Sequence, residues 1–278
     1  MISTEALARL LPDPNTRVVD ASWHLSARDA VTEFEEAHIP GTVFFDIDAI
    51  ADRTTSLPHM LPSPEAFAVA VGQLGISEQN HVIVYDSVGM FSAARVWWTF
   101  RVMGAAKVQV LDGGLPKWIG EGRRTESGAA RPIPTHFKPR FRSELVRDLS
   151  GIREDLAQGH VQVVDARPAQ RFAGQAPEPR AGLRSGHMPG AINQPLSGLV
   201  DPDGRLLDPG ALRATLVRAG VDPTAPVTAT CGSGITAAGI ALALARLGND
   251  RAAVYDGSWA EWGSRSDVPV VIEPIPRP

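Results

Sequence analysis

The chain of 278 residues has a single cysteine, Cys231. One cysteine cannot close an intrachain disulfide, so the fold does not depend on an oxidising compartment and the thiol is free for chemistry. No apolar run approaches the roughly 18 residues needed to cross a bilayer. The opening Met1-Ile2-Ser3-Thr4-Glu5 lacks the basic stretch and apolar segment of a secretory signal. These absences predict a cytoplasmic protein without a membrane partner. A basic excess is missing as well: the formal charge is −4 and the arginines are scattered, which argues against nucleic acid as a partner. There is no Gly-x-x-x-x-Gly-Lys-Ser/Thr, no strand–Gly-x-Gly-x-x-Gly–helix, and no Cys or His at metal-ligand spacing from Cys231. No nucleotide or metal cofactor is therefore expected. What remains, 44% apolar and 21% charged residues, is the composition of a globular protein with a substantial core.

The chain repeats itself. Val18-Val19-Asp20-Ala21 recurs as Val163-Val164-Asp165-Ala166, and His38-Ile39-Pro40-Gly41 as His187-Met188-Pro189-Gly190. The run His81–Asp86 lines up with Pro226–Cys231, and Asp112–Trp118 with Asp256–Trp262. Four matches in the same order, with a period far too long for a solenoid, indicate a duplicated domain. The boundaries follow as 1–124 and 148–278, with the proline-containing stretch 125–147 as linker. In each half, β-branched runs alternate with helical patterns. The expected strands are Val18–Asp20, Val82–Tyr85, Val108–Leu111, Gln162–Asp165, Val227–Thr230 and Ala252–Tyr255. The expected helices are Pro64–Leu74, capped by Ser63, and Phe91–Met103, Pro209–Ala219 and Thr236–Leu247. Such alternation predicts an α/β fold, two tandem domains, each a parallel sheet flanked by helices.

Ligands of such sheets sit at the carboxyl ends of strands, and Cys231 directly follows one. It opens Cys231-Gly232-Ser233-Gly234-Ile235-Thr236, ahead of an Ala/Leu-rich helix. Glycines let the backbone fold around the sulfur with N–H groups turned inward, and the following helix adds the positive end of its dipole. Both favour a thiolate, the reactive form of cysteine. The first half has Asp86 at the matching position. An aspartate offers no thiolate, so the N-terminal domain is expected to be catalytically degenerate.

The duplicated His-Ile/Met-Pro-Gly, the strand–Cys–Gly-rich loop–helix and the terminal Asp256-Gly257-Ser258-Trp259-Ala260-Glu261-Trp262 together resemble the two-domain rhodanese superfamily of sulfurtransferases, over almost the whole chain. In that family, members that prefer thiosulfate carry Cys-Arg-Lys-Gly-Val-Thr in the loop, and those that use 3-mercaptopyruvate carry Cys-Gly-Ser-Gly-Val-Thr. The present loop matches the second except for Ile235. The resemblance thus implies transfer of the sulfur of 3-mercaptopyruvate, through a persulfide on Cys231, to a thiol or cyanide, with release of pyruvate. Thioredoxin or a small thiol is the implied acceptor. Charge supports the same substrate, since a thiosulfate dianion gains from loop cations and this loop has none. Loop residues Gly232, Gly234, Ile235 and Thr236 are expected to line the substrate.

The segment Arg171-Phe172-Ala173-Gly174-Gln175-Ala176-Pro177-Glu178-Pro179-Arg180 resembles the family's Arg-Phe-x-Gly-x-x-Pro-Glu-Pro-Arg. The resemblance assigns Arg171 and Arg180 to the substrate, whereas Arg167 and Arg184 are expected at the surface. A second family stretch, in which an aspartate and a histidine join a loop serine in a proton relay, maps onto Asp48, His59 and Ser233. His38 and His187 recur in both halves, including the one without a nucleophile, and are expected to be structural. Trp97, Trp98 and Trp118 are expected in the core.

Three alternatives are set against this reading. Thiosulfate:cyanide sulfur transfer differs only in donor. A non-catalytic rhodanese-type binding module would not need an intact loop beside two arginines. A cysteine phosphatase would need Cys-x-x-x-x-x-Arg, and this chain has Ala237 where that arginine belongs.

Overall fold

The computed structural model describes residues 1–272 and divides into two compact units. The first comprises Met1–Arg53, Leu61–Arg142 and Pro202–Leu206; the second comprises Thr54–Met60, Ser143–Asp201 and Leu207 onwards.

In the first unit the order is α1 (Thr4–Leu10), β1 (Thr16–Asp20), α2 (Ala30–Glu36), β2 (Thr42–Phe44), α3 (Ile47–Ile50), α4 (Pro64–Gln73), β3 (His81–Tyr85), α5 (Ala93–Val102), β4 (Lys107–Val110) and α6 (Gly114–Gly120). The four strands form a parallel sheet ordered β2-β1-β3-β4. In the second unit β5 (Val146–Arg147), α7 (Leu149–Gln158), β6 (Gln162–Asp165), α8 (Ala169–Phe172), β7 (Ile192–Asn193), α9 (Pro209–Arg218), β8 (Val227–Thr230), α10 (Ala237–Arg246), β9 (Ala253–Tyr255) and α11 (Ser258–Trp262) build a parallel sheet ordered β5-β9-β8-β6-β7. The expected α/β architecture of two parallel sheets with helices is present. Central strands β3 and β8 are buried at every position, as sheets covered on both faces require.

Local chemistry explains the helix starts. Ser63 accepts from the Ala66 N–H at 3.2 Å with Pro64 in the first turn, and Asp29, Asp46, Asp148 and Asp208 cap α2, α3, α7 and α9 in the same way. Trp97, Trp98 and Trp118 are buried, as expected. So are His38 and His187. Their Nδ1 atoms bond the carbonyls of Phe34 at 2.7 Å and Phe172 at 2.9 Å, and each ring stacks on the same phenylalanine. The repeated histidine thus fixes a turn in both halves.

The stretch expected as a linker is divided between the units. Residues 125–142 pack on the first: Glu126 pairs with His38, the Thr135 N–H donates to Gly72 O at 2.9 Å, and Phe137 is buried against Phe67 and Phe100. Residues 143–147 belong to the second unit, where β5 adds an edge strand beside β9. Its counterpart in the first unit is the single bridge from Ile2 to Leu111. The repeat therefore begins at the strand before α7 rather than after it.

The halves differ at the carboxyl ends of β1 and β6. At Asp165 the second half supplies Arg167 as a partner, whereas the corresponding Asp20 faces Ser22, whose backbone N–H donates to it at 2.8 Å. Burial pushes the Asp20 carboxyl up to about 6, against the downward pull of the Ser22 hydrogen bonds. Because the folded value exceeds the unfolded one, the folded state binds the proton more tightly. The stabilisation is full below the unfolded value of 3.8 and is lost as pH rises through about 6. Asp20→Asn should remove that decline, on the order of 3 kcal/mol for a shift of about two units. Thermal melts between pH 4 and 7 read it as a variant-minus-wild-type difference that grows with pH; parallel curves would discard Asp20 as the source.

Candidate active site

The candidate nucleophile lies where β8 ends. Cys231 is 2% exposed at the carboxyl end of that strand, between β6 and β9 in the sheet. Its backbone is held by the segment entering α11: the Cys231 N–H donates to Ser258 Oγ at 3.3 Å, the Trp259 N–H to Cys231 O at 2.9 Å, and the Ala260 N–H to Gly232 O at 2.8 Å. Ser258 sits at φ 48, a left-handed conformation that costs a non-glycine residue, and its hydroxyl also donates to Tyr255 O at 2.8 Å. The first half has Gly114 at this position, at φ 55, and the Leu115 N–H donates to Asp86 O at 3.0 Å. Ser258 was not singled out from the sequence. Its signal was a serine where the repeat has a glycine.

Within the loop, Gly234 takes φ 79, the conformation that its residue type permits, while Ser233 and Ile235 are buried. Thr236 precedes α10 as its N-terminal flanking residue. His59 lies in the Thr54–Met60 segment of the same unit, buried, at φ 61, with Nδ1 3.0 Å from Ser233 Oγ. The direction of that hydrogen bond follows the imidazole tautomer. Asp48 lies in the first unit, in the first turn of α3, where its Oδ2 accepts from the Trp23 indole at 2.9 Å.

Arg171 ends its approach above the loop. A Cβ added to Gly232 would lie 3.1 Å from Arg171 Nη2, so glycine leaves the room that the guanidinium uses. Arg171 pairs with Glu178 through Nη2 and through Nε at 3.2 Å. The other Glu178 oxygen accepts from Arg167 Nη1 at 2.7 Å, and Arg167 in turn bonds Asp165 at 2.7 Å and Gly186 O at 2.9 Å. Arg180 is half-buried.

Two arginines expected at the surface are not there. Arg167 is 1% exposed, stacked 4.1 Å above the Trp259 ring. Burial alone would favour its neutral form, but Asp165 and Glu178 outweigh this and hold the guanidinium charged, above its ordinary value. Arg184 is half-buried and donates to the carbonyls of Gly263, Val268 and Trp262. It ties the chain after α11 to the rest of the unit. The rule that arginine stays outside fails where carboxylates and backbone carbonyls offer enough acceptors.

The corresponding loop of the first half is chemically closed. Asp86 is fully buried, and its carboxylate accepts four backbone N–H groups: Val88 at 3.0 Å, Phe91 at 2.8 Å, Ser92 at 2.9 Å and Ala93 at 2.8 Å. The last three lead into α5, so the first residue of such a loop reaches the N-terminal amides of the helix that follows.

A model described as the Rhodanese-like domain matches residues 3–121 and 149–265. The 3-mercaptopyruvate sulfurtransferase of Escherichia coli K12 is 42% identical over 277 residues, covering 99% of this chain and 98% of its own. The thiosulfate sulfurtransferase of Bos taurus is also 42% identical, over 274 residues, covering 96% of this chain and 92% of its own. The crystal structure of SseA from Escherichia coli, described with the rhodanese fold of 3-mercaptopyruvate sulfotransferases, superposes with a TM-score of 0.86 at 40% identity. It covers 93% of this chain and 98% of that one.

Proposed function

The chain belongs to the rhodanese-like family, and on that premise we propose that it is a 3-mercaptopyruvate sulfurtransferase that works through a persulfide on Cys231. Overall identity does not separate the two donors, because relatives named for mercaptopyruvate and for thiosulfate are both 42% identical. The observation that carries the assignment is the loop itself: no cation stands between Cys231 and Thr236, and the nearby Arg171 is already paired with Glu178. A dianion has little to gain there. A donor with one carboxylate can be held by planar guanidinium donors from Arg171 and Arg180, outside the loop.

The chemistry follows from the residues. The Cys231 thiolate attacks the substrate sulfur, an S–S bond forms and the C–S bond breaks. Its electron pair passes to the carbon side as pyruvate enolate, which takes a proton at the methylene carbon to give pyruvate. The hydrogen-bonded Ser233 and His59 are the proposed route for that proton and for removing the thiol proton beforehand, with Asp48 assigned to orient the imidazole. An acceptor thiolate then attacks the outer sulfur, and the Cys231 thiolate leaves. Thioredoxin, a small thiol or cyanide fits that second step. The cytoplasm supplies reduced thiols, and among the described residues no helix is long and apolar enough to cross a membrane.

Steady-state turnover of 3-mercaptopyruvate and of thiosulfate, with one shared acceptor, tests the assignment. The expected result is a kcat/KM for mercaptopyruvate at least about tenfold higher, the equivalent of one charge-assisted hydrogen bond. A ratio favouring thiosulfate would reassign the donor.

A further inference from the structure

Asp165, Arg167, Glu178 and Arg171 form an unbroken chain of ion pairs with charges alternating in sign, and its last member lies over Gly232 beside the nucleophile. Four alternating charges sum to zero. Asp165 and Arg167 are each 1% exposed at the side chain, Glu178 is 2% exposed and Arg171 is 19% exposed, so only the end of the chain meets solvent and substrate. Fields from such buried charges are weakly screened.

We infer that Glu178 is a specificity-determining residue: by neutralising Arg171 it lets the site offer guanidinium hydrogen-bond donors without a net positive charge, which favours a carboxylate monoanion over a dianionic sulfur donor. Glu178 takes up Nε and one edge of Nη2, leaving Nη1 and the remaining Nη2 hydrogen for a ligand. A monoanion needs those donors. A dianion needs, in addition, a charge that the site has already cancelled. The inference deepens the proposed function and rests on Arg171 being a substrate-binding side chain.

Glu178→Gln removes the charge at nearly constant shape, and Arg167 keeps Asp165 and Gly186 O as partners. The first readout needs no sulfur donor. Cys231 is alkylated with iodoacetate, an anion, and with iodoacetamide, its neutral counterpart, and the ratio of the two rates reports local charge. Glu178→Gln should raise the iodoacetate:iodoacetamide ratio roughly three- to tenfold at low salt. Glu178→Asp keeps the charge and should stay within about twofold of wild type. Glu178→Ala, which places no amide against Arg167, carries the same expectation as glutamine and serves if that variant does not fold. The thiosulfate:mercaptopyruvate ratio of kcat/KM should rise in parallel.

A purely structural role would slow both reagents alike and leave their ratio unchanged; that result, or a falling ratio, overturns the inference. A rise in the alkylation ratio without a rise in the thiosulfate:mercaptopyruvate ratio keeps Glu178 as the neutralising charge but overturns its role in donor choice, and speaks against Arg171 as a substrate-binding side chain. The two failures are therefore distinguishable.

Discussion

Cys231→Ser is expected to abolish sulfur transfer, lowering kcat on the order of 10⁴-fold or more, because a serine hydroxyl is a poor nucleophile towards sulfur and cannot store it as a persulfide. Intact-mass measurement after incubation with 3-mercaptopyruvate should show one added sulfur on the wild type and none on the variant. The substitution should leave the fold intact. The groups that anchor position 231 are the backbone contacts to Ser258, Trp259 and, through Gly232, Ala260, and serine keeps all of them. Added sulfur on the serine variant would remove Cys231 from the mechanism. Since this chain has no other cysteine, no neighbouring thiol can take over the role and blur the result.

The second large effect belongs to the arginines. Arg→Lys keeps the charge but loses the planar two-point contact, at a cost of about 1.5–3 kcal/mol each, or roughly ten- to a hundredfold in kcat/KM. The Arg171→Lys, Arg180→Lys double variant should therefore lose about 10²- to 10⁴-fold if the two effects add, mainly as a raised KM. His59→Ala should differ in kind. Its ring is hydrogen-bonded to Ser233, so the expected signature is a lowered kcat with KM little changed. A folded double arginine variant with wild-type kinetics would show that the carboxylate binds elsewhere.

The long elements were legible because their signals are local. Helices expected at Pro64–Leu74 and Pro209–Ala219 are found at Pro64–Gln73 and Pro209–Arg218, each with a capping side chain and a proline in its first turn. The central strands were marked by β-branched runs buried on both faces. Missed elements are mostly short: β2, β5 and β7 have two or three residues, too few for a period to show. Helices α1, α2 and α7 are longer, and their capping Ser3, Asp29 and Asp148 offered a signal that was not used.

In the candidate site, the placement of Arg171 near the loop was legible because each lies in a contiguous motif. The buried Arg167 was not, because what makes burial tolerable is not the neighbouring Asp165 alone but its meeting with Glu178, further along the chain, and with the distant Trp259 ring. Serine at 258 had the opposite difficulty. The repeat exposed its position, but only the backbone at φ 48 shows why a hydroxyl matters there.

Asp86 has a further meaning when its length is compared with that of a modified cysteine. From Cβ, an aspartate extends by one carbon to a charged oxygen; a cysteine persulfide extends by one sulfur to a charged sulfur. The two are similar in reach and alike in charge. In its silent half the protein thus carries a permanent effigy of the charged state that the proposed cycle visits only in passing, with the four amides around it already in position. One half keeps its carboxylate within those four amides; in the proposed cycle the other forms its anion and lets it go at every turnover.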